Sequence, residues 1–202
     1  LKDSFTCSGA TVVSDRRIRC HKTTGHGTQD FTHTVYNSCN PAFVEWGRRV
    51  GVDNMYLYMG KLGLLAKTGI DLSGEAGTII HKQENVGAVE LATMSFGQSF
   101  QITPVQMLRA VAAIVNGGKL VTPHFGLYTS SSDGSVVNEF AYSTEEEAIS
   151  SQTSEMMKQI LEGVVSEGGG TKAYIEGYSI GGKTATSQKL PRGSGKYISS
   201  FI

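Results

Sequence analysis

The sequence predicts an α+β fold, a helical region followed by a short antiparallel sheet, and three observations carry that reading. Helical signals dominate to about residue 115. A pair of strand-like runs around a turn follows, and the chain closes on one more amphipathic helix and two strand-like segments. A length of 202 residues suits one domain with a sizeable core. Glycine fills 25 positions, about 12% against ~7% in average proteins, so tight turns and close backbone approaches are expected.

Residues 5 to 20 read as a small hairpin around Ser14-Asp15-Arg16-Arg17, which places Cys7 near Cys20. After Gly25-His26-Gly27-Thr28, the stretch Asp30 to Val35 is short and ambiguous. Asn40 and Pro41, a cap and a first-turn proline, start a helix over Ala42 to Arg49. Asp53 caps a second over Asn54 to Leu62, and Gly63 to Gly77 reads as surface loop. Val86 to Met94 is helical. Thr103 to Val115 is a further helix, with Thr103 as its cap, Pro104 in the first turn and Gly117 as its stop. Its expected apolar face is Val105, Leu108, Val111, Ala112 and Val115.

Lys119 to Tyr128 and Ser135 to Phe140 read as strands separated by Ser131-Ser132-Asp133-Gly134. Thr144 and Glu147 have the spacing of a capping box. From Ser151 to Ser166 the pairs Met156/Met157, Ile160/Leu161 and Val164/Val165 recur at intervals of four, one apolar stripe that ends at Gly168-Gly169-Gly170. The methionines read as core. Tyr178 to Ser187 and Lys196 to Ile202 are the last two strands, joined by the loop Gln188 to Gly195.

Eighteen Lys plus Arg balance eighteen Asp plus Glu, which argues against a nucleic-acid partner held by charge. No apolar run approaches the ~18 to 20 residues of a membrane span. The start, Leu1-Lys2-Asp3-Ser4-Phe5, lacks the layout of a signal peptide, and with no initial Met and an apolar end, Tyr197 to Ile202, an excised segment is expected.

Cys7, Cys20 and Cys39 are too few and too widely spaced in sequence to announce a zinc site, and too few for a disulfide scaffold. Two readings stay open: three reduced, partly buried thiols, or one disulfide between two of them in an oxidising compartment. Sequence chooses none of the three pairings. His21, His26, His33, His81 and His124 show no i, i+4 pair on a helix and no carboxylate pattern, so no metal and no cofactor are expected. Cys20-His21 with His26 offers a thiolate and imidazole pair, but nothing in the sequence fixes its geometry.

Two segments carry the chemistry, Tyr36-Asn37-Ser38-Cys39-Asn40-Pro41-Ala42-Phe43 and Ile180-Gly181-Gly182-Lys183-Thr184-Ala185-Thr186-Ser187. The first presents a hydroxyl and an amide two residues apart where a helix starts. The second puts an ammonium and two hydroxyls on a strand preceded by glycines, where a substrate backbone can lie close to the edge. Taken alone, Asn40 is a helix cap, Ser38 a solvated hydroxyl and Lys183 a charged guard on a strand edge.

Together the segments resemble the serine penicillin-binding proteins, most closely the class B high-molecular-weight D,D-transpeptidases, sporulation-type members included. Ser38-Cys39-Asn40 is similar to the family's SxN motif and Lys183-Thr184-Ala185-Thr186 to its KTGT motif. Between them, Ala92 to Met107 and Ala112 to Gly118 resemble the family's GQG-like and TPxQ helix with its ANGG turn. The resemblance covers essentially all 202 residues and implies a partial transpeptidase domain of the penicillin-binding-protein and serine β-lactamase-like fold. On that reading the SxxK region before Ser38 and the last sheet strand and helix lie outside the chain, and the sheet is incomplete.

The implied activity is crosslinking of peptidoglycan stem peptides through a serine acyl-enzyme, with a D,D-carboxypeptidase or β-lactamase-like hydrolase and a non-catalytic β-lactam sensor as alternatives. The implied partners are stem peptides, β-lactams and proteins of a cell-wall synthesis complex. The implied place is the extracytoplasmic face of the membrane. Ser38 would relay a proton, Asn40 would bond the substrate amide and Lys183 would act on the potential around both. Thr184 and Thr186 would hold the terminal carboxylate, and the Thr186 N–H would be an oxyanion donor.

There are two departures. No serine of the chain has lysine three residues on, so the segment alone is expected not to acylate, and Ala185 replaces the motif's glycine. Cys39 lies inside SxN, where a disulfide to Cys20 or Cys7 would tether the loop as a redox switch. Unpaired sheet edges are expected to make the isolated segment self-associate or leave its last strands poorly ordered.

Overall fold

The computed structural model describes residues 3–142, 144–189, 191 and 193–202, and of 144–146 the backbone alone. Leu1 and Lys2 of the N-terminal reading, and part of the loop before the last strand, lie outside the described residues. The chain divides into two units, Leu1–Glu45 with Met156–Ile202, and Trp46–Glu155.

The first unit begins with β1 (Ser4–Cys7), β2 (Ala10–Val13), β3 (Arg16–Arg19) and β4 (Gly27–Asp30), paired antiparallel as β1 with β4 and β2 with β3. The expected hairpin therefore covers only β2 and β3, turning at Ser14 with φ 53°. Cys7 pairs across to the strand that follows the hairpin. The ambiguous stretch is α1 (Phe31–Asn37): the Asp30 carboxylate accepts from the His33 N–H at 2.8 Å and caps it. At seven residues the helix is too short to show a period.

Then comes α2 (Asn40–Lys61), broken at Gly51, whose φ of 77° and ψ of 166° are not helical. That break separates the two helices expected from the sequence.

In the second unit β5 (Ile79–Ile80) pairs with β6 (Phe100–Gln101), flanking α3 (Ala88–Met94). Tyr56, Met59 and Met94 form a core there, with Val52, Leu64, Ile80 and Phe100 packed on it. α4 (Pro104–Val115) has the expected capping box of Thr103 with Gln106. Its face is not the expected one. Leu108 is 60% exposed, and the buried residues are Gln106, Arg109, Ala110 and Ala113. The polar pair is buried because it is bonded. Gln106 Nε2 donates to Ala66 O at 2.6 Å and Thr78 Oγ1 at 2.8 Å, and Arg109 Nε donates to Val121 O at 2.7 Å.

Further along, β7 (Lys119–Val121), β8 (Tyr128–Ser130), β9 (Val136–Glu139) and β10 (Thr144–Glu147) form two pairs, β7 with β10 and β8 with β9. Thus Thr144 to Glu147 is strand rather than a helix start, and the cap belongs to Ser150, whose Oγ accepts from the Thr153 N–H at 3.2 Å.

α5 (Ser151–Ser166) returns the chain to the first unit, where Ile160, Val164 and Val35 form a core with Phe31, Tyr36, Phe43 and Met157, while Met156, expected in the core, is exposed because it lies off this face. Burying such aliphatic side chains is worth about 1.5–3 kcal/mol each. Gly163 lets α5 approach this closely, since a Cβ there would lie 1.8 Å from Tyr36 Oη. β11 (Thr184–Gln188) and β12 (Tyr197–Phe201) close the chain as an antiparallel hairpin.

Candidate active site

The junction of α1 and α2 fixes the first motif. Ser38 ends α1 in the left-handed region, φ 48° and ψ 47°, and its N–H donates to Val35 O at 3.2 Å. The Cys39 N–H donates to Thr34 O at 3.2 Å, and Cys39 O accepts the Phe43 N–H at 3.0 Å as α2 begins. Cys39, Thr34 and Ala42 have no exposed surface. The backbone of Ser38 and Cys39 is thus held from both helices, with the Ser38 hydroxyl and Asn40 amide two residues apart. Asn40 Nδ2 donates to Arg19 O at 3.4 Å, a tie to the end of β3.

The second motif enters at the start of the final hairpin. Lys183 N–H donates to Ile202 O at 2.8 Å, and Ile202 N–H donates back at 3.2 Å. The Lys183 side chain donates from Nζ to Ser38 Oγ at 2.9 Å and to Thr184 O at 3.0 Å. Burial pushes the Lys183 ammonium below the usual lysine range, so the amine holds its proton less tightly than a surface lysine. Thr184 is half-buried, while Ala185 and Thr186 are exposed. In the pleat Thr184 and Thr186 share one face and Ala185 takes the other, so the extra methyl does not stand beside the two hydroxyls.

Gly181 and Gly182 answer a packing need, where the sequence suggested room for substrate. A Cβ on Gly182 would lie 2.3 Å from Phe201 Cζ and 2.7 Å from Ile202 O, and one on Gly181 would lie 3.2 Å from Leu161 Cβ. Sequence reasoning also passed over Tyr36, whose carbonyl accepts the Gly169 N–H at 3.2 Å and links the motif-bearing helix to the turn after α5. The Gly168-Gly169-Gly170 run was the available signal.

The cysteines gather as the hairpin reading placed Cys7 and Cys20, with Cys39 and His26 beside them. Wide separation along the chain does not keep them apart: Cys7, Cys20 and Cys39 gather with His26, their sulfurs and the imidazole nitrogen all within 4.8 Å of one another. Cys20 Sγ lies 4.0 Å from Cys39 Sγ and 3.3 Å from His26 Nδ1, and all three cysteines are free thiols. The hairpin and the α1–α2 junction bring together what no short Cys-x-x-Cys spacing announced. Burial pushes the Cys39 thiol up to about 12.

The site is thus a half-buried lysine bonded to the serine of an S-x-N turn, with a K-T-x-T strand running from that lysine. The chain belongs to the penicillin binding protein transpeptidase domain family, which matches it over residues 1–202. It is 42% identical to stage V sporulation protein D of Bacillus subtilis over 205 residues, covering 100% of this chain and 32% of that protein. Penicillin-binding protein PbpB of Mycobacterium tuberculosis is 30% identical, covering 90% of this chain and 28% of its own.

Among solved structures, penicillin binding protein 3 of M. tuberculosis complexed with aztreonam superposes with a TM-score of 0.87 at 26% identity, over 98% of this chain and 47% of that one. The D,D-transpeptidase domain from Eggerthella lenta, at 20% identity and TM-score 0.86 over 93% of this chain and 49% of its own, shares the fold. The chain therefore spans about a third of the length of the curated relatives it matches.

Proposed function

We propose that residues 1–202 supply the second and third motifs of a D,D-transpeptidase that crosslinks peptidoglycan stem peptides. The observation that supports this most directly is the 2.9 Å bond from Lys183 Nζ to Ser38 Oγ, made across 145 positions of sequence by two segments with no need to meet unless they share a site. In the reaction a serine from an SxxK segment attacks the D-Ala-D-Ala carbonyl, its proton passes to a base, and D-Ala leaves with a proton on its amine. Ser38 is placed to carry that proton to the leaving amine, and Lys183, already short of solvation, stabilises whichever oxygen is transiently negative. Asn40 orients the substrate amide, and Thr184 and Thr186 receive the terminal carboxylate. β-Lactams enter as mimics of the same peptide.

The domain works on this reading at the extracytoplasmic face of the membrane, where stem peptides are, alongside other cell-wall synthesis proteins. Among the described residues no helix is long and apolar enough to cross a membrane.

The test is intact mass after penicillin treatment of a longer chain that joins an SxxK segment to residues 1–202. A covalent adduct that persists for hours is expected, and Lys183→Ala should slow its formation by roughly 10²- to 10⁴-fold. A fast-decaying adduct would point to a hydrolase, and no adduct at all would overturn the proposal.

A further inference from the structure

We propose that Cys7, Cys20, His26 and Cys39 form a closed, tetrahedral Zn²⁺ site whose role is to hold the Ser38–Asn40 turn in place. A Zn–S bond of ~2.3 Å and a Zn–N bond of ~2.0 Å put tetrahedral neighbours roughly 3.8 Å apart for two sulfurs and roughly 3.5 Å for sulfur and nitrogen. The protein has 4.0 Å between Cys20 Sγ and Cys39 Sγ, 3.3 Å between Cys20 Sγ and His26 Nδ1, and every pair of the four within 4.8 Å. Three sulfurs and one imidazole complete a zinc shell with no position left for water, the pattern of a structural rather than a catalytic metal.

Backbone donors face the sulfurs. Cys7 Sγ receives backbone N–H groups from Gly9 and His26, Cys20 Sγ one from Lys22, and Cys39 Sγ one from Ala42. Such donors orient sulfur ligands and offset their charge. All three cysteines are buried, at 2%, 3% and 0% exposure. The loops around them are tight enough to require glycine. A Cβ on Gly25, at φ 81°, would sit 2.1 Å from Cys7 O, and one on Gly9, at φ 96°, would sit 2.0 Å from Thr23 O.

Binding exchanges three thiol protons for one Zn²⁺, leaving a complex of net charge −1 with no change of oxidation state. The four ligands come from the end of β1, the residue after β3, the loop before β4, and the turn between α1 and α2. Since Cys39 stands between Ser38 and Asn40, the metal would tie the S-x-N turn to both strand pairs at once.

The experiment takes the chain reduced, in chelator-free buffer, with and without added Zn²⁺. Elemental analysis after gel filtration should find about one zinc per chain. The three thiols should resist alkylation until a chelator is added, and Co²⁺ in place of Zn²⁺ should give tetrahedral thiolate absorption. His26→Ala, folded by circular dichroism, should weaken Zn²⁺ binding by more than the ~10- to 100-fold that loss of an outer-shell partner costs. His21→Ala, whose ring lies 5.1 Å from that of His26 but outside the cluster, should leave binding unchanged. No retained zinc, with thiols alkylated equally fast in its presence and absence, would overturn the proposal. So would zinc held equally well by His26→Ala.

Discussion

The S-x-N turn and the K-T-x-T hairpin meet at the Lys183–Ser38 bond but are supported in opposite ways. The turn is sealed between two helices, with Thr34, Cys39 and Ala42 fully buried and the backbone of Ser38 and Cys39 bonded. The hairpin of β11 and β12 is exposed along nearly its whole length, Thr184 alone being half-buried. An isolated two-stranded pair is marginally stable at best, so its position depends on its first residues: the Lys183–Ile202 backbone pair, the Lys183–Ser38 bond and the close fit of Gly182 on Phe201. One half of the site is built into a core and the other is clipped onto it.

That contrast can be broken most severely at Ile160, which lies in the core under the turn. Ile160→Ala should cost about 2–5 kcal/mol in urea unfolding and loosen the turn and the hairpin together. Loss of hairpin amide protection alone would reverse the assignment of which half is the foundation. Gly182→Ala sharpens the contrast, forcing Phe201 and Ile202 away for about 1–3 kcal/mol. Amide exchange should accelerate in β11 and β12 and stay unchanged at Cys39 and Phe43.

The smallest effect is expected at Asp30. Asp30→Ala should cost ~1 kcal/mol as a lost cap of α1. The His33 backbone N–H, together with the His33 ring at 2.8 Å, holds the Asp30 carboxyl below its ordinary 3.8. Its contribution is therefore complete above pH 3.8 and disappears as pH falls through the lower, folded value, so wild type and variant should converge in stability in acid.

Much of this was legible in the sequence because the signals were local. Thr103-Pro104 with Gln106 started a helix, the four-residue recurrence through Met157, Ile160 and Val164 marked a buried stripe, and Ser38-Cys39-Asn40 with Lys183-Thr184-Ala185-Thr186 marked the two motifs. Where the reading failed, the deciding partner was distant. Counting apolar residues could not reveal that Gln106 and Arg109 are the inward side of α4, since carbonyls of Ala66 and Val121 make them so. Gly182 looked like an opening for substrate because Phe201 is nineteen positions away. The cysteine and histidine cluster drew on a strand, a hairpin, a loop and a helix junction, and no spacing rule spans four such elements.

The unit that carries both motifs is discontinuous, with Trp46–Glu155 intervening between its halves. During synthesis the S-x-N turn leaves the ribosome long before its lysine does, and the core beneath it waits for α5. Such a long-range closure is slow and comes late. A nascent chain therefore holds Ser38 without its Lys183 partner, and the two motifs come together only once the final hairpin has docked.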